Sequence, residues 1–131
     1  MKKIFVYGTL RKGEVNAHLL KYATCIEENC WTHGLLFDSG YGYPALLPSA
    51  THRTVGELYE VTQNELKLLD ELEDYTEGGT NNLYERVEQE VFTMDGVTLA
   101  FVYISNNDDL LKEEITSGNW KEYRLLKSRG M

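Results

Sequence analysis

One acid stands where the helical pattern calls for a hydrocarbon. At about 100° per residue, Glu73 falls within roughly 20° of Leu66, between Leu66 and Leu69 around the helix, while Lys67, Asp70, Glu71 and Asp74 take the solvated side. A carboxyl group on the border of a buried stripe loses water, and in the last helical turn it also faces the negative end of the macrodipole. Both effects disfavour the anion and raise the pKa, which is what a general acid or base working near neutral pH needs. The same placement also fits a partly exposed helix-end carboxylate paired with a cation such as Arg86. Glu65 projects toward the apolar side as well, but a capping role explains it.

A second stretch, Ile4-Phe5-Val6-Tyr7-Gly8-Thr9-Leu10-Arg11-Lys12-Gly13, is a short apolar run that ends at a glycine and resumes as a polar loop. Without a Cβ at Gly8 the backbone can bend sharply or admit a ligand, and the amides of Gly8, Thr9 and Leu10 could converge on one anionic or carbonyl oxygen. A tight exit from the first strand explains the glycine equally well. Arg11 and Lys12 flank the loop in an otherwise acidic chain and could favour a small anionic substrate.

The elements that must position these groups follow in order. Asn16 is placed to cap a short helix through Ala17, Leu19 and Leu20, ending near Tyr22. A long strand-forming stretch runs from Thr24 to Phe37, with Ile26, Trp31, Leu35 and Phe37 inward and Gly34 at a bend. The run from Asp38 to Ala45 is a glycine-rich turn carrying Tyr41 and Tyr43, a plain surface loop unless another element brings it beside the first loop. Thr54 to Val61 alternates as a strand, and Thr62 followed by Glu65 marks a helix start, a helix that runs through Leu66, Leu68, Leu69 and Leu72 to Glu73 or Asp74. Gly78, Gly79, Asn81 and Asn82 form the next loop. Leu83 to Thr93 and Val97 to Ser105 are strands joined by Met94-Asp95-Gly96, a hairpin signal. An acidic helical piece from Asp108 to Ile115, a turn at Ser117-Gly118-Asn119 and a segment from Trp120 into a basic tail close the chain. Antiparallel strands with few short helices predict an α+β domain whose sheet curls into a small barrel.

Composition narrows the function. At 131 residues the chain suffices for one hydrophobic core, hence one domain over residues 1–131, and 42% apolar residues with two prolines argue against disorder. A net charge of −8 makes nucleic acid an unsuitable partner, since phosphate binding relies on Lys and Arg clusters. No segment approaches the roughly 18 apolar residues of a membrane span, and the two N-terminal lysines lead straight into a strand, so a cytoplasmic protein is expected. Cys25 and Cys30 read as reduced thiols facing opposite sides of one strand, and His18, His33 and His52 show no metal-ligand spacing.

Six pieces in order, Val6 to Gly13, Tyr43-Pro44-Ala45, Val55 to Tyr59, Leu69 to Glu73, Tyr84-Glu85-Arg86 and Ser117 to Trp120, resemble the γ-glutamylcyclotransferase superfamily, in its branch of AIG2-like proteins and γ-glutamylamine cyclotransferases. The resemblance spans residues from about 4 to 123. It implies an α+β barrel whose cavity binds a γ-glutamyl group, with no cofactor. It implies that the loop Tyr7, Gly8, Thr9 and Leu10 holds the α-amino-acid end of the substrate, that Glu73 is the catalytic acid/base, and that Tyr43 and Tyr84 line the cavity. Arg86 is instead expected to pair with strand or helix carboxylates. Many relatives carry glycine where this chain has Asp74, a carboxylate that either raises the pKa of Glu73 further or points to solvent. The expected reaction is intramolecular aminolysis releasing 5-oxoproline and an amine. Two other classes are open: a small-molecule binding protein on the same fold, and an interaction module using an aromatic patch around Trp120 and Tyr123.

Overall fold

A computed structural model describes residues 1–79 and 82–128. Eight strands, β1 (Lys2–Val6), β2 (Thr24–His33), β3 (Leu35–Asp38), β4 (Pro44–Leu47), β5 (Arg53–Val61), β6 (Glu85–Thr93), β7 (Gly96–Ile104) and β8 (Glu113–Glu114), form two sheets. Five close into a barrel in the order β1-β5-β2-β6-β7, and β4-β3-β8 form a separate three-stranded sheet. The barrel is antiparallel except where β1 closes it beside β7, with Ile4 opposite Phe101. Closure removes the unpaired edges that an open sheet of these strands would expose.

The continuous apolar run of β1 has a physical reason. Phe5 and Tyr7 pack with Leu58, Val91 and Val102 in one core, whereas Ile4 and Val6 pack with Val61, Leu66 and Leu69 in another. A strand covered on both faces cannot alternate polar residues outward. Helix α1 (Gln63–Leu72) supplies the second cover. It begins as the Thr62 and Glu65 pattern predicts, with a complete capping box worth about 1 kcal/mol, and seats Leu66 and Leu69 on the barrel wall.

Several local expectations fail, each for an identifiable reason. The stretch from Thr24 to Phe37 is not one strand: register shifts between Cys25 and Glu27 and between Glu27 and Cys30 break its alternation. The buried residues are therefore Cys30, Thr32, Gly34 and Leu36, and Ile26 is exposed. At Gly34 the chain leaves the barrel for the second sheet, and a Cβ there would lie 2.6 Å from Leu46 Cδ1. Asn16 does not cap a helix; Ala17–Leu20 is a 3₁₀ turn, and the Asn16 amide donates to Thr9 Oγ1 at 3.0 Å. Asp108 to Ile115 is a 3₁₀ turn followed by β8 rather than a helix. Helix α2 (Trp120–Ser128) buries Trp120 to 4% exposure, and the Tyr123 hydroxyl bonds to Asp38, so the aromatic patch proposed for an interaction module is not presented. The hairpin at Met94-Asp95-Gly96 is present. Cys25 and Cys30 are both free, and no helix among the described residues is long and apolar enough to cross a membrane. Asn81 of the expected glycine-rich loop lies outside the described residues.

Candidate active site

The exit of β1, the turn before β4, the end of α1 and the start of β6 surround one cavity of about 410 Å³. Its wall includes every residue singled out from the sequence for the site: Tyr7, Gly8, Thr9, Leu10, Tyr43, Tyr84 and Glu73. The glycine-rich turn is thus not a plain surface loop, because Tyr41, Gly42, Tyr43 and Pro44 form one side of this wall. Gly8 is what lets the two loops meet: a Cβ at that position would stand 2.6 Å from Pro44 Cγ. Its missing side chain makes room for protein rather than ligand.

The first loop is rigidly held. Arg11 N–H donates to Gly8 O at 3.1 Å, and Asn16 N–H donates to Thr9 O at 2.8 Å. Arg11 is buried and donates through Nε to Glu57 Oε2 at 3.1 Å and through Nη1 to Asn119 Oδ1 at 3.1 Å. The Lys12 side chain pairs with Glu28 at 2.8 Å, while its backbone N–H donates to Glu57 Oε1. Neither cation is therefore available to attract an anionic substrate. The Thr9 and Leu10 amides, by contrast, donate to no other residue among those described.

Glu73 is positioned by how α1 ends. It is the C-cap residue, and Asp74 follows in the left-handed conformation at φ 52°. Tyr75 N–H donates to Asp70 O and Asp74 N–H to Glu71 O, the two bonds of a Schellman ending. Glycine is the residue most at ease at that position, and aspartate is among the few others that adopt it readily. The Asp74 side chain is exposed and is not a cause of the Glu73 shift, so it takes the solvent-facing option.

Arg86, the cation that the alternative reading paired with Glu73, is engaged with a helix carboxylate instead. Arg86 pairs with Asp70 through Nη1, and Tyr103 Oη donates to the other Asp70 oxygen at 2.7 Å. Asp70 is consequently half-buried and ion-paired, not on a solvated face. Among the described residues Glu73 makes no side-chain hydrogen bond or ion pair, and it is the one carboxyl group on the cavity wall. It keeps intermediate exposure because it opens on the cavity, yet burial pushes its pKa up to about 7.

Four tyrosines face this acid. Burial is the leading cause of a raised pKa in Tyr7, Tyr43, Tyr84 and Tyr103, and the charge of Glu73 adds to it in each. All four stay neutral near pH 7. Three have committed hydroxyls: Tyr7 donates to Tyr103 O at 2.6 Å, Tyr84 to Pro44 O at 2.6 Å, and Tyr103 to Asp70. Glu73 is therefore the wall residue whose proton moves readily near neutrality. Sequence reasoning missed Tyr103, and although it expected Arg86 to pair with a strand or helix carboxylate, it did not single out Asp70 as that partner. Tyr103 carried no usable signal within an apolar strand, whereas Asp70 did: at about 100° per residue it lies about 40° from Leu66, at the edge of the buried stripe rather than on the solvated side to which it was assigned.

A small closed α+β barrel thus holds a tyrosine-walled cavity with a single carboxyl group and no Ser, Cys or His on its wall. Over residues 4–122 the chain matches the family Gamma-glutamyl cyclotransferase, AIG2-like. It is 42% identical over 132 residues to the Gamma-L-glutamyl-butirosin B gamma-glutamyl cyclotransferase of Niallia circulans, with 100% of this chain and 83% of that one covered. Among solved structures, YkqA from Bacillus subtilis aligns with a TM-score of 0.79 at 32% identity over 98% of this chain, which spans 42% of that longer one. An uncharacterised protein from Pyrococcus horikoshii aligns with a TM-score of 0.73 at 30% identity, with 98% of each chain covered. The chain belongs to the γ-glutamyl cyclotransferase, AIG2-like family and is an enzyme of the cyclotransferase type.

Proposed function

We propose that this enzyme closes 5-oxoproline from a γ-glutamyl amide and releases the amine, with Glu73 as general acid/base. The observation that carries the reading is an unpaired carboxyl of raised pKa on a cavity wall that also bears the free amides of Thr9 and Leu10. Those amides take the α-carboxylate of the substrate, while Tyr7, Tyr43 and Tyr84 pack against its carbon chain. Folding the chain back brings the α-nitrogen against the γ-carbonyl carbon, and most of the acceleration comes from this positioning.

The proton balance is simple. Glu73 as carboxylate takes a proton from the α-ammonium, and the freed amine attacks the γ-carbonyl to form the ring C–N bond. The amide C–N bond then breaks as its nitrogen accepts that proton from Glu73; the regenerated carboxylate takes the second proton from the ring nitrogen and passes it to the departing amine, which leaves as an ammonium while Glu73 ends as the carboxylate. Neither a protein nucleophile nor water enters the balance. The first step requires the anion, so a pKa of about 7 keeps roughly half of Glu73 competent at neutral pH while leaving the acid form strong enough to protonate the leaving nitrogen. The two free cysteines suit a reducing compartment, and the cytoplasm is the expected place of action.

The test is 5-oxoproline release from γ-glutamyl-amino acids, γ-glutamyl-ε-lysine and γ-glutamyl-polyamines by the wild type and Glu73→Gln. The variant should lose about 10²- to 10⁴-fold in kcat while remaining folded. Full activity in the folded variant would remove Glu73 from the mechanism, and binding without turnover in the wild type would favour a binding protein on this fold.

A further inference from the structure

A second chamber of about 340 Å³ adjoins the first, and Thr9, Val15 and Gly42 line both. A substrate whose γ-glutamyl end lies against Glu73 can extend over this shared rim, so the second chamber is where the departing amine would lie. Its far wall is made by Glu14, Trp120 and Arg124. Glu14 is a buried acid tied by both oxygens to Arg124, whose Nε and Nη2 each donate at 2.7 Å. The two partners are unequally hidden: the Glu14 side chain is 2% exposed and that of Arg124 is 42% exposed.

This asymmetry sets the character of the wall. Glu14 has no free oxygen left to receive a cation, whereas a guanidinium holds five N–H groups and only two are used by the fork. A further cation stands close by, since Lys121 Nζ donates to Lys12 O and lies 3.8 Å from where a Cβ of Gly13, another wall residue, would stand. The charges of Glu14 and Arg124 balance on this wall, but the polar hydrogens left free by the pair are the guanidinium's, and the Lys121 ammonium stands beside the chamber. We propose that Arg124, held by Glu14, reads a carboxylate on the leaving amine, so that the preferred substrates are γ-glutamyl derivatives of amino acids or peptides rather than of simple amines or polyamines. This rests on the cyclotransferase reading above. Glu14 acts as a positioning residue, fixing the fork so that the remaining guanidinium N–H groups point away from it.

The experiment compares γ-glutamyl-alanine with γ-glutamyl-alaninamide, which differ in one charge and hardly in size. The wild type should favour the acid in kcat/KM by about tenfold or more, the range of a charge-assisted hydrogen bond, and the preference should lie mainly in KM. In Glu14→Gln/Arg124→Gln, which removes both charges together and leaves no buried ion alone, the ratio should fall to within about twofold of one. Independently of any variant, free alanine should inhibit the wild type at lower concentration than alaninamide. A wild-type ratio near one, a preference for the amide or for a γ-glutamyl-polyamine, or a preference that survives in the folded double variant would overturn the assignment while leaving the cyclotransferase reading intact. Absence of 5-oxoproline from every γ-glutamyl amide would instead sink that reading and this inference with it.

Discussion

Two acids withdrawn from bulk water face opposite fates in this molecule. Glu57, on β5, accepts from Arg11 Nε, from the Lys12 backbone N–H and from Tyr59 Oη at 2.9 Å. Glu73, at the end of α1, has no hydrogen-bond or ion-pair partner among the described residues, although Arg86 and three tyrosine hydroxyls that could have served it are bonded elsewhere. The first arrangement makes a charge structural: its ionised form is surrounded by donors and the loop from Gly8 to Gly13 is fastened to the barrel. The second makes a charge costly, and so available for proton transfer. What distinguishes the two carboxyl groups is not the loss of bulk water, which both undergo to different degrees, but whether neighbours have been assigned to them.

The sharpest way to break this contrast is to remove the satisfied charge. Glu57→Gln leaves the Arg11 guanidinium buried without its partner and should destabilise the fold by about 3–5 kcal/mol, read as a lower urea midpoint at unchanged slope. A midpoint within experimental error of wild type would show that Glu57 is not the anchor of the loop. The next effect concerns how the two loops of the cavity meet. Gly8→Ala drives a methyl into Pro44, should cost about 1–3 kcal/mol, and should raise KM by displacing the Tyr43 turn from the Thr9 and Leu10 amides. Unchanged KM with unchanged stability would mean the turn is free to move. The smallest effect tests whether Asp74 belongs to the chemistry or only to the helix end. Asp74→Gly relieves a left-handed residue and should stabilise by about 0.5–1 kcal/mol without moving the pH profile of kcat/KM. A shifted profile would show that its charge does reach Glu73.

How much of this was legible in the sequence depended on whether the signal was local. The capping box at Thr62 and Glu65 and the hairpin at Asp95-Gly96 are encoded by neighbouring residues, and both appear as expected. Glu73 could be singled out because helical phase places it beside Leu66, but its lack of a partner could not, since Arg86 bonds to Asp70 only once β6 and α1 are packed. Arg11 illustrates the reverse error: a cation beside a loop resembles a substrate anchor until β5 brings Glu57 against it. The inward residues of β2 were misassigned because two register shifts reset a period that any pattern assumes to be continuous. At Gly8 the missing Cβ suggested a sharp bend or room for a ligand, but what stands there is Pro44, whose place depends on the second sheet.

The pH dependence of Glu73 ties the site to the stability of the fold. Its pKa rises from 4.5 to about 7 on folding, so between those values the native state binds more protons than the unfolded state. Stability should therefore fall as pH rises through this window, by about 3 kcal/mol in all from this group, and level off above it. The most direct test is the ¹³C NMR titration of the Glu73 carboxyl in the wild type, assigned by its absence in Glu73→Gln. A midpoint near 7 is the predicted result. A midpoint near the ordinary value of 4.5 would contradict the central claim, because a carboxyl that ionises like one in water is neither desolvated nor poised to return a proton at neutral pH.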